Sequence, residues 1–456
     1  MSKENRQYIL RDEPVTSALI HLSVPSILSN LVGTFHNMID TYYVSQLKNN
    51  SMIAATTVAL PISVLIYALG EGIGAGAESC IGRYMGAGKK EKVESAVSTT
   101  ITLSCLLSIA AGLFSVTLLK SMISVFTESA EVLEHAYQYM VIMTMGSVLV
   151  IFKQVFTHLL RSCGDVKYPM KTVFIEVTVN TILNPIFMFD FGFGLKIRGA
   201  AIATVIAQGL SASLLFHRLL HQNSEMSWKI GDFRINMESM KEIVGVGSAV
   251  FIRNGLPSLS YGLFAKSAGL FGTDYVAASG LARKAEHMAT FVVQGIAQGY
   301  QPFASYNFGA QNKERLMEAM KKAIFITTVY CCVVALLFFF GPRFIMMILT
   351  SDVLLIDYGS SILKWYALGL PIIGIYQILA ASFQSMGKSK LSFTTSVLRQ
   401  GVIYCPLIVV LPLWLKETGF MMVQPLCDWI SVCITCLLAR SLIREIRQMN
   451  YFKHYQ

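Results

Sequence analysis

Long apolar segments separated by short polar ones run along almost the whole chain. The windows 49–70, 95–119, 323–342 and 365–387 contain no Asp, Glu, Lys or Arg. About 20 predominantly apolar residues form a helix long enough to cross the hydrocarbon core of a bilayer, and these windows reach that length. The pattern predicts twelve spanning helices, near residues 15–40, 50–77, 95–119, 135–159, 170–191, 199–217, 241–266, 276–300, 321–341, 360–382, 391–413 and 418–440.

The composition supports a membrane protein. Charged residues make up 14% of the chain, whereas a soluble globular domain carries about 25%. Hydrophobic residues make up 54%. The chain is therefore expected to be an all-α, polytopic membrane protein whose loops leave no room for a sizeable soluble domain.

The formal net charge of +10 could suggest a nucleic-acid partner, but the placement of the charges argues against one. Lys and Arg are concentrated in the two termini and in the even-numbered loops of the predicted topology. An excess of basic residues in short loops is typical of the cytoplasmic face. We therefore expect a multi-pass protein of the plasma (inner) membrane with both termini cytoplasmic, attracted to anionic lipid and without a nucleic-acid partner.

The chain contains an internal repeat. The segment GAGKKEKVESA at 86–96 aligns with GAQNKERLMEA at 309–319, and we call the shift that takes Gly86 to Gly309 the repeat offset. The same ungapped offset aligns Ser162, Gly164 and Lys167 with Ser385, Gly387 and Lys390, and Leu47, Ala54 and Ala55 with Leu270, Ala277 and Ala278. Matches at one offset in three separate places indicate that the chain is a doubled unit of six helices.

Two copies of an even-numbered unit enter the membrane in the same orientation, as in parallel-repeat transporters. The predicted parts are an amino-terminal six-helix lobe (1–217), a cytoplasmic linker (218–240) and a carboxy-terminal six-helix lobe (241–456). A central cleft between two such lobes would suit alternating access. We see no segment that resembles a channel selectivity filter.

No motif indicates ATP hydrolysis, because GAGKKE at 86–91 has neither the spacing nor the Ser or Thr of a phosphate-binding loop. Transport would then use an ion gradient or run downhill. The run GEGIGAG at 70–76 places glycines four residues apart and is explained best by close helix packing. An intramembrane enzyme is not expected, because no nucleophile with a base and no set of three metal ligands can be identified.

Ionisable groups within predicted spans are candidates for function because burying them in hydrocarbon is costly. Asp40 lies one helical turn after His36, and Asn37 is nearby. A metal site would need more ligands than this pair. A buried carboxylate such as Asp40 could bind a proton or cation at one stage of transport and release it at another, or simply be satisfied by local partners. The other acids within predicted spans are Glu71, Glu78, Glu176, Glu286 and Asp428.

Polar residues on three further helices extend this list. Asn180 and Asn184 are one turn apart on helix 5, with Pro185 beside them, and suit either a hard cation or an interhelical hydrogen-bond network. On helix 8, Arg283 and Glu286 could form a local ion pair. Arg253 on helix 7 needs a partner from another helix, and Glu286 is a plausible one.

Five segments together resemble the multidrug and toxic compound extrusion (MATE) family. They are NMIDTYYVSQL (37–47), GRYMGAGKKE (82–91), LRSCGDVKYPM (160–170), NTILNPIFMFDFGFGLKIRGAAIAT (180–204) and QPFASYNFGAQNKER (301–315). No single motif is diagnostic, but the set covers nearly the whole chain in order. The resemblance implies twelve helices in two six-helix lobes and export of cationic, amphipathic compounds against inward Na⁺ or H⁺.

The resemblance also implies roles for individual residues. Asp40 matches the coupling acid of helix 1, and Asn180 and Thr204 match polar members of the amino-lobe cation site. Asn184 departs from the pattern, because many relatives have Asp there, and this leaves the coupling ion open. Acids used by some relatives on helices 7 and 10 are not matched, so a second cation site in the carboxy-terminal lobe is not expected.

The sequence therefore predicts a secondary antiporter that exchanges cationic or amphipathic drugs for Na⁺ or H⁺ and acts as a monomer without a bound cofactor or metal. Asp40, Asn180, Asn184 and Thr204 are the cation-coupling candidates. His36, Asn37, Arg253, Arg283 and Glu286 are candidates for the substrate cleft or for gating. The alternative is a flippase or exporter of lipid-linked or amphipathic metabolites.

Overall fold

A computed structural model describes residues 3–222 and 233–449, and within those ranges it contains helices and no strands. The α-helices, in chain order, are α1 (Lys3–Arg11), α2 (Val15–Gln46), α3 (Asn50–Gly86), α4 (Lys90–Thr117), α5 (Leu119–Ser124), α6 (Ala130–Met145), α7 (Ser147–Ser162), α8 (Lys167–Met188), α9 (Lys196–Gln222), α10 (Met237–Ala268), α11 (Thr273–Gly309), α12 (Lys313–Phe340), α13 (Pro342–Leu349), α14 (Val353–Ser385), α15 (Ser389–Val397) and α16 (Cys405–Gln448). A 3-10 turn (Gly269–Phe271) joins α10 to α11, and a π-helical stretch (Leu398–Tyr404) joins α15 to α16.

Each of the twelve predicted spans coincides with helix. The fourth is the pair α6 and α7, bent by 51°. Gly146 lies at this bend, where a Cβ would come within 2.5 Å of the Val205 side chain. The eleventh and twelfth meet within α16 at Lys416, whose φ of 52° breaks the helical path.

Seven helices in the described ranges are individually long and apolar enough to cross a membrane, or eight if the bent pair counts as one span. The helices α8, α10 and α11 are not among them. These three contain charged residues, among them Glu176, Arg253, Arg283 and Glu286. A span whose polar face is turned toward other helices can carry such residues, because the cost of burial applies chiefly to charges facing lipid.

The described chain divides into two compact units whose boundaries differ from those of the expected lobes. The amino unit comprises Met1–Ile9 and Leu28–Phe251, and the carboxy unit comprises Leu10–Ile27 and Ile252–Gln456. The first part of α2 therefore packs in the carboxy unit, and the first part of α10 packs in the amino unit. The repeat could not reveal this, because it aligns helices without showing where each half packs. The linker predicted at 218–240 lies partly outside the described residues; within them, α9 extends to Gln222 and α10 begins at Met237.

Helices α3 and α7 pack closely in the core of the amino unit. The glycines of 70–76 allow this approach, which confirms the prediction of close helix packing. A Cβ on Gly74 would lie 2.4 Å from the His158 ring, and a Cβ on Gly76 would lie 2.1 Å from the carbonyl oxygen of Ile243 on α10. A side chain at either position would overlap its neighbour.

The carboxy unit is built around α14, which packs against α11, α12 and α16. Tyr275 is fully buried among Phe271, Tyr358 and Phe420, in edge-to-face contacts with each ring. Aromatic rings placed in this way contribute attraction beyond the apolar area that they bury. The cluster therefore fixes α11 against α14 and α16.

The two units repeat the same helix geometry. The repeat offset takes both ends of α3 onto the ends of α11, and both ends of α4 onto the ends of α12. Gly299, which corresponds to Gly76 by the same offset, makes the same kind of contact: its Cβ would lie 2.5 Å from the backbone of Ser23 on α2. Each unit thus packs the first part of a helix, α10 or α2, against a glycine face.

Candidate functional site

The predicted cation-coupling residues form one connected hydrogen-bond network in the amino unit. The Asn184 side-chain amide donates to the Asp40 carboxylate at 2.7 Å and to the Asn180 carbonyl oxygen at 2.8 Å. The Asn180 amide donates to the Thr204 hydroxyl at 3.2 Å, and that hydroxyl donates to the backbone oxygen of Ala200 at 2.9 Å. The structure therefore brings together all four residues from α2, α8 and α9.

Helix geometry explains how three segments distant in the chain meet. Asn180 and Asn184 lie one turn apart on α8 and share a face. This face is buried, and α8 packs closely on α9, which places Thr204 beside Asn180. Pro185 stands inside α8 and lacks the amide hydrogen that would bond to the carbonyl one turn earlier. The spacing of Asn180 and Asn184 thus gives α8 a polar face, and α2 and α9 cover that face.

Asp40 is the carboxylate of this network. Its side chain is 29% exposed, and its second oxygen lies 3.5 Å from Nε2 of His36. Asn184 directs both amide hydrogens to acceptors, and its own carbonyl oxygen is buried without a hydrogen bond from the described residues. The amide therefore supplies Asp40 with the hydrogen that a second carboxyl group could supply only when protonated.

A second polar layer adjoins the network and was not predicted as such. The Lys153 ammonium on α7 donates to Glu176 on α8 at 2.7 Å; the Glu176 side chain is buried and that of Lys153 is mostly buried. The Gln208 amide on α9 donates to the hydroxyl of Tyr67 on α3. Glu176 was recognised in the sequence as an acid within a span, but its partner was not. Lys153 could have indicated this pair, because it is the single Lys or Arg within the predicted span 135–159.

The gating candidates near Asp40 occupy different environments. His36 is mostly buried and faces Asp40 one turn away, as its spacing predicts. Asn37 is exposed. Its backbone oxygen accepts a hydrogen bond from Thr41. Only His36 of this pair therefore makes a side-chain contact with the network.

The carboxy unit holds a second group of buried charges. Arg283 does not form the expected ion pair with Glu286; its guanidinium donates to the Tyr404 hydroxyl at 2.9 Å. It lies over the rings of Tyr261 and Phe264 at 4.4 and 4.5 Å. Aromatic faces attract a guanidinium that is removed from water, which explains how Arg283 is held without a carboxylate.

The surroundings of Glu286 and Arg253 could not be derived from the sequence. Glu286 is buried on α11 within electrostatic range of Arg283, Arg399 and Asp428. Arg253 is half-buried on α10. A further ion pair that the sequence did not predict joins Arg399 to Asp428, at 2.8 Å. Among the described residues no group of three or more His, Cys, Asp or Glu side chains could hold a metal ion.

The fold and the buried polar groups define a class of protein: a helical membrane transporter built from a doubled unit. The profile of the MatE family matches residues 25–186 and 250–410, one segment in each half of the repeat. The chain belongs to the MATE family of efflux transporters, and members of this family are transporters rather than enzymes.

Individual relatives are similar over the full length. The multidrug export protein MepA of Staphylococcus aureus strain MRSA252 is 25% identical over 456 residues, which cover 98% of this chain and 99% of that protein. MepA of Staphylococcus haemolyticus is 23% identical over 447 residues, which cover 96% and 97%.

Solved structures share the fold. A transporter of the MOP superfamily from Pyrococcus furiosus superimposes with a TM-score of 0.89 at 22% identity, over 97% of this chain and 98% of that one. A MATE transporter in its bent conformation gives 0.90 at 22% identity, over 98% and 99%. The prediction of an all-α membrane protein with twelve spanning helices in two six-helix lobes is confirmed.

Proposed function

We propose that this protein is a secondary antiporter that exports cationic or amphipathic compounds in exchange for inward Na⁺ or H⁺ by alternating access. The observation that carries the proposal is the network of Asp40, Asn184, Asn180 and Thr204. It places one carboxylate, partly open to its surroundings, at the end of a row of buried polar side chains. A membrane protein retains such a group at considerable cost, and cation coupling accounts for it.

Either ion could bind at this carboxylate. A proton would bind to Asp40 itself and remove its charge. Na⁺ would need several oxygen ligands, and the carbonyl oxygens of Asn180 and Asn184 lie beside Asp40. The Asn184 oxygen accepts no hydrogen bond from the residues that the structure describes, so it could turn toward a bound cation.

The substrate class rests on the relatives. Two of them are named multidrug export proteins, and the similarity extends over nearly the full length of this chain. By analogy, the substrates are cationic or amphipathic drugs. A flippase or exporter of lipid-linked or amphipathic metabolites is the alternative. We further place the protein in the plasma membrane as a monomer with both termini cytoplasmic.

Substitution of Asp40 tests the coupling role. Asp40→Asn should abolish gradient-driven ethidium efflux from cells while leaving the amount of protein in the membrane unchanged, because the amide can neither bind a proton nor balance a cation. The matched control is Asp357→Asn, an exposed carboxylate on α14 that lies 3.5 Å from Arg343. Efflux by Asp40→Asn at the rate of the control would refute the proposal.

Two further assays resolve the alternatives. Ethidium transport into liposomes at fixed pH, with and without a Na⁺ gradient, identifies the coupling ion. Movement of a fluorescent lipid between the leaflets of the same liposomes tests for flippase activity. Lipid flipping without ethidium transport would favour that alternative over drug export.

A further inference from the structure

Two acids of α3 and a histidine of α7 form a row, buried except at one end, that the coupling network does not include. The Nδ1 atom of His158 makes a hydrogen bond with Glu78, and its Nε2 atom lies 3.3 Å from Glu71. The side chain of Gln154 donates to the other oxygen of Glu71 at 2.6 Å. We call Glu71, His158 and Glu78 the acid–histidine row.

The two contacts of the imidazole fix how many protons the row holds. Each ring nitrogen faces a carboxyl oxygen, so each contact needs one hydrogen between the two atoms. Two arrangements satisfy this: an imidazolium between two carboxylates, or a neutral imidazole with one carboxyl group protonated. Both carry a net charge of −1 and differ only in where the protons lie, so a small displacement of protons converts one into the other.

The two ends of the row differ in how exposed their side chains are. The Glu71 side chain is 29% exposed, whereas those of His158 and Glu78 are 4% and 2% exposed. The second oxygen of Glu78 is buried and receives no hydrogen bond from any residue in the described ranges. The row is therefore open at Glu71 and closed at Glu78, where an acceptor oxygen could take a further proton.

Among the described residues, charged side chains of α3, α7 and α9 form pairs with other groups: Arg83 with Glu242, Lys153 with Glu176, and Arg218 with Asp165. Arg161 lies one turn beyond His158 on α7 and is buried. Tyr67 lies one turn before Glu71 and bonds to Gln208. Tyr67 on α3 and Lys153 on α7 therefore belong to the polar layer beside Asp40 and lie on the same two helices as the row.

The repeat shows that the fold does not need these charges. At the repeat offset, Gln294 and Gln301 replace the two acids, and Ala381 replaces the histidine. Gly74 leaves room for the His158 ring, which a Cβ there would approach to 2.4 Å, and its counterpart is Ala297. The row and the space for its imidazole are thus absent together from the carboxy unit, although α3 and α11 have matching bounds.

We propose that the acid–histidine row relays protons between the amino-unit coupling site and Glu78, about two turns before the end of α3 at Gly86. In the transfer, a proton on Glu71 passes to Nε2 of His158 while the proton on Nδ1 passes to Glu78. The N–H bond at Nδ1 and the O–H bond at Glu71 break, new bonds form at Nε2 and at Glu78, and the net charge is unchanged. This role rests on the proposed antiport and specifies H⁺ as the coupling ion.

The test uses the purified full-length protein in liposomes with ethidium as the substrate and an entrapped pH-sensitive dye. Glu78→Gln keeps the shape of the side chain but cannot carry a proton. The double variant Gly74→Ala/His158→Ala copies the carboxy unit, where Ala297 faces no histidine.

Proton-driven ethidium transport should fall about tenfold or more in each variant, with an altered pH profile. Ethidium–ethidium exchange at equal pH should persist because it needs no net proton movement. The matched control is His135→Gln, a partly buried histidine of α6 that lies 3.8 Å from Glu131.

The outcomes separate this proposal from the antiport itself. If wild-type protein shows no transport driven by either ion, the proposed function fails. If transport is driven by Na⁺ alone, antiport stands and the relay is wrong. The relay is also wrong if both variants keep the wild-type pH profile, or if both lose exchange together with proton-driven transport, since the row would then be structural.

Discussion

The contact between α3 and α10 makes Gly76 the position where one added methyl group has the most predictable effect. A Cβ at residue 76 would lie 2.1 Å from the carbonyl oxygen of Ile243, 2.9 Å from its carbonyl carbon and 3.1 Å from its Cα. These are backbone atoms of a helix, so no side-chain rotation can relieve the overlap. Relief to 3.0 Å requires the first part of α10 to move by about 0.9 Å.

This movement would affect polar contacts that hold the same part of α10. Glu242 accepts hydrogen bonds from Arg83 and, at 3.2 Å, from the hydroxyl of Tyr84. Lys92 donates to Glu238 at 2.7 Å. Helices in a membrane associate through close packing and such bonds rather than through the hydrophobic effect, so a shift here weakens both kinds of attraction at once.

The magnitude follows from two opposing effects. Overpacking a close contact costs about 1–3 kcal/mol, and a backbone clash belongs at the upper end. Alanine favours a helix over glycine by about 1 kcal/mol. Gly76→Ala should therefore destabilise the protein by a net ~1–2 kcal/mol. If only one conformation of the transport cycle contains this contact, its population relative to the others should fall about tenfold for each 1.4 kcal/mol.

The assay is thermal unfolding of the purified protein in detergent, compared with Gly112→Ala. Gly112 lies on α4, and among the described residues no neighbouring atom comes within 4 Å of the position that its Cβ would take. Alanine there should leave Tm unchanged or raise it, because it restricts the unfolded chain without a clash in the folded one. A Tm for Gly76→Ala equal to that of the control would show that α10 does not pack on α3 as described.

Three further substitutions test other contacts. Gly299→Ala should lower Tm as Gly76→Ala does, because its Cβ would lie 2.5 Å from the backbone of α2; an unchanged Tm would contradict the shared geometry of the two units. Asp428→Asn should cost about 3 kcal/mol, measured by unfolding in detergent, because it leaves the mostly buried Arg399 without its carboxylate. Thr204→Val removes one hydroxyl from the coupling network and should cost about 1 kcal/mol, with a smaller loss of ethidium efflux than Asp40→Asn; equal losses would mean that the hydroxyl is essential.

The sequence predicts the helices and the Asp40 network for identifiable reasons. Uncharged windows of spanning length leave little choice about where helices form, and the repeat offset recurs in the bounds of α3 and α11. Asn180 and Asn184 share a helix face by spacing alone. The contact of that face with Asp40 could be expected only from the resemblance to a family, because Asp40 and Asn184 are 144 positions apart.

The remaining buried pairs depend on how helices are rotated against each other. His158 and Glu78 are 80 positions apart, and Arg399 and Asp428 are 29 apart on different helices. Hydropathy identifies a span but not the direction in which one polar residue within it points. For that reason Glu78 and Asp428 could be recognised as unusual acids without their partners. The packing of the first parts of α2 and α10 in opposite units was beyond prediction for the same reason.

The two units differ most where the repeat aligns a charge with its opposite. Lys153 and Glu176 form an ion pair in the amino unit, and the repeat offset leads from them to Tyr376 and Arg399. The contact persists in the carboxy unit, where the Arg399 guanidinium lies 5.0 Å from the centre of the Tyr376 ring. The helix position that holds a carboxylate in one unit therefore holds a cation in the other. Both charges are neutralised by a partner, Glu176 by Lys153 and Arg399 by Asp428, so the two units invert the sign of one helix position without leaving a bare charge at it. What distinguishes the amino unit is the partly exposed carboxylate of Asp40, the proposed coupling group, whereas the carboxy unit holds Arg283 among aromatic rings and is suited to a different role in the proposed transport cycle.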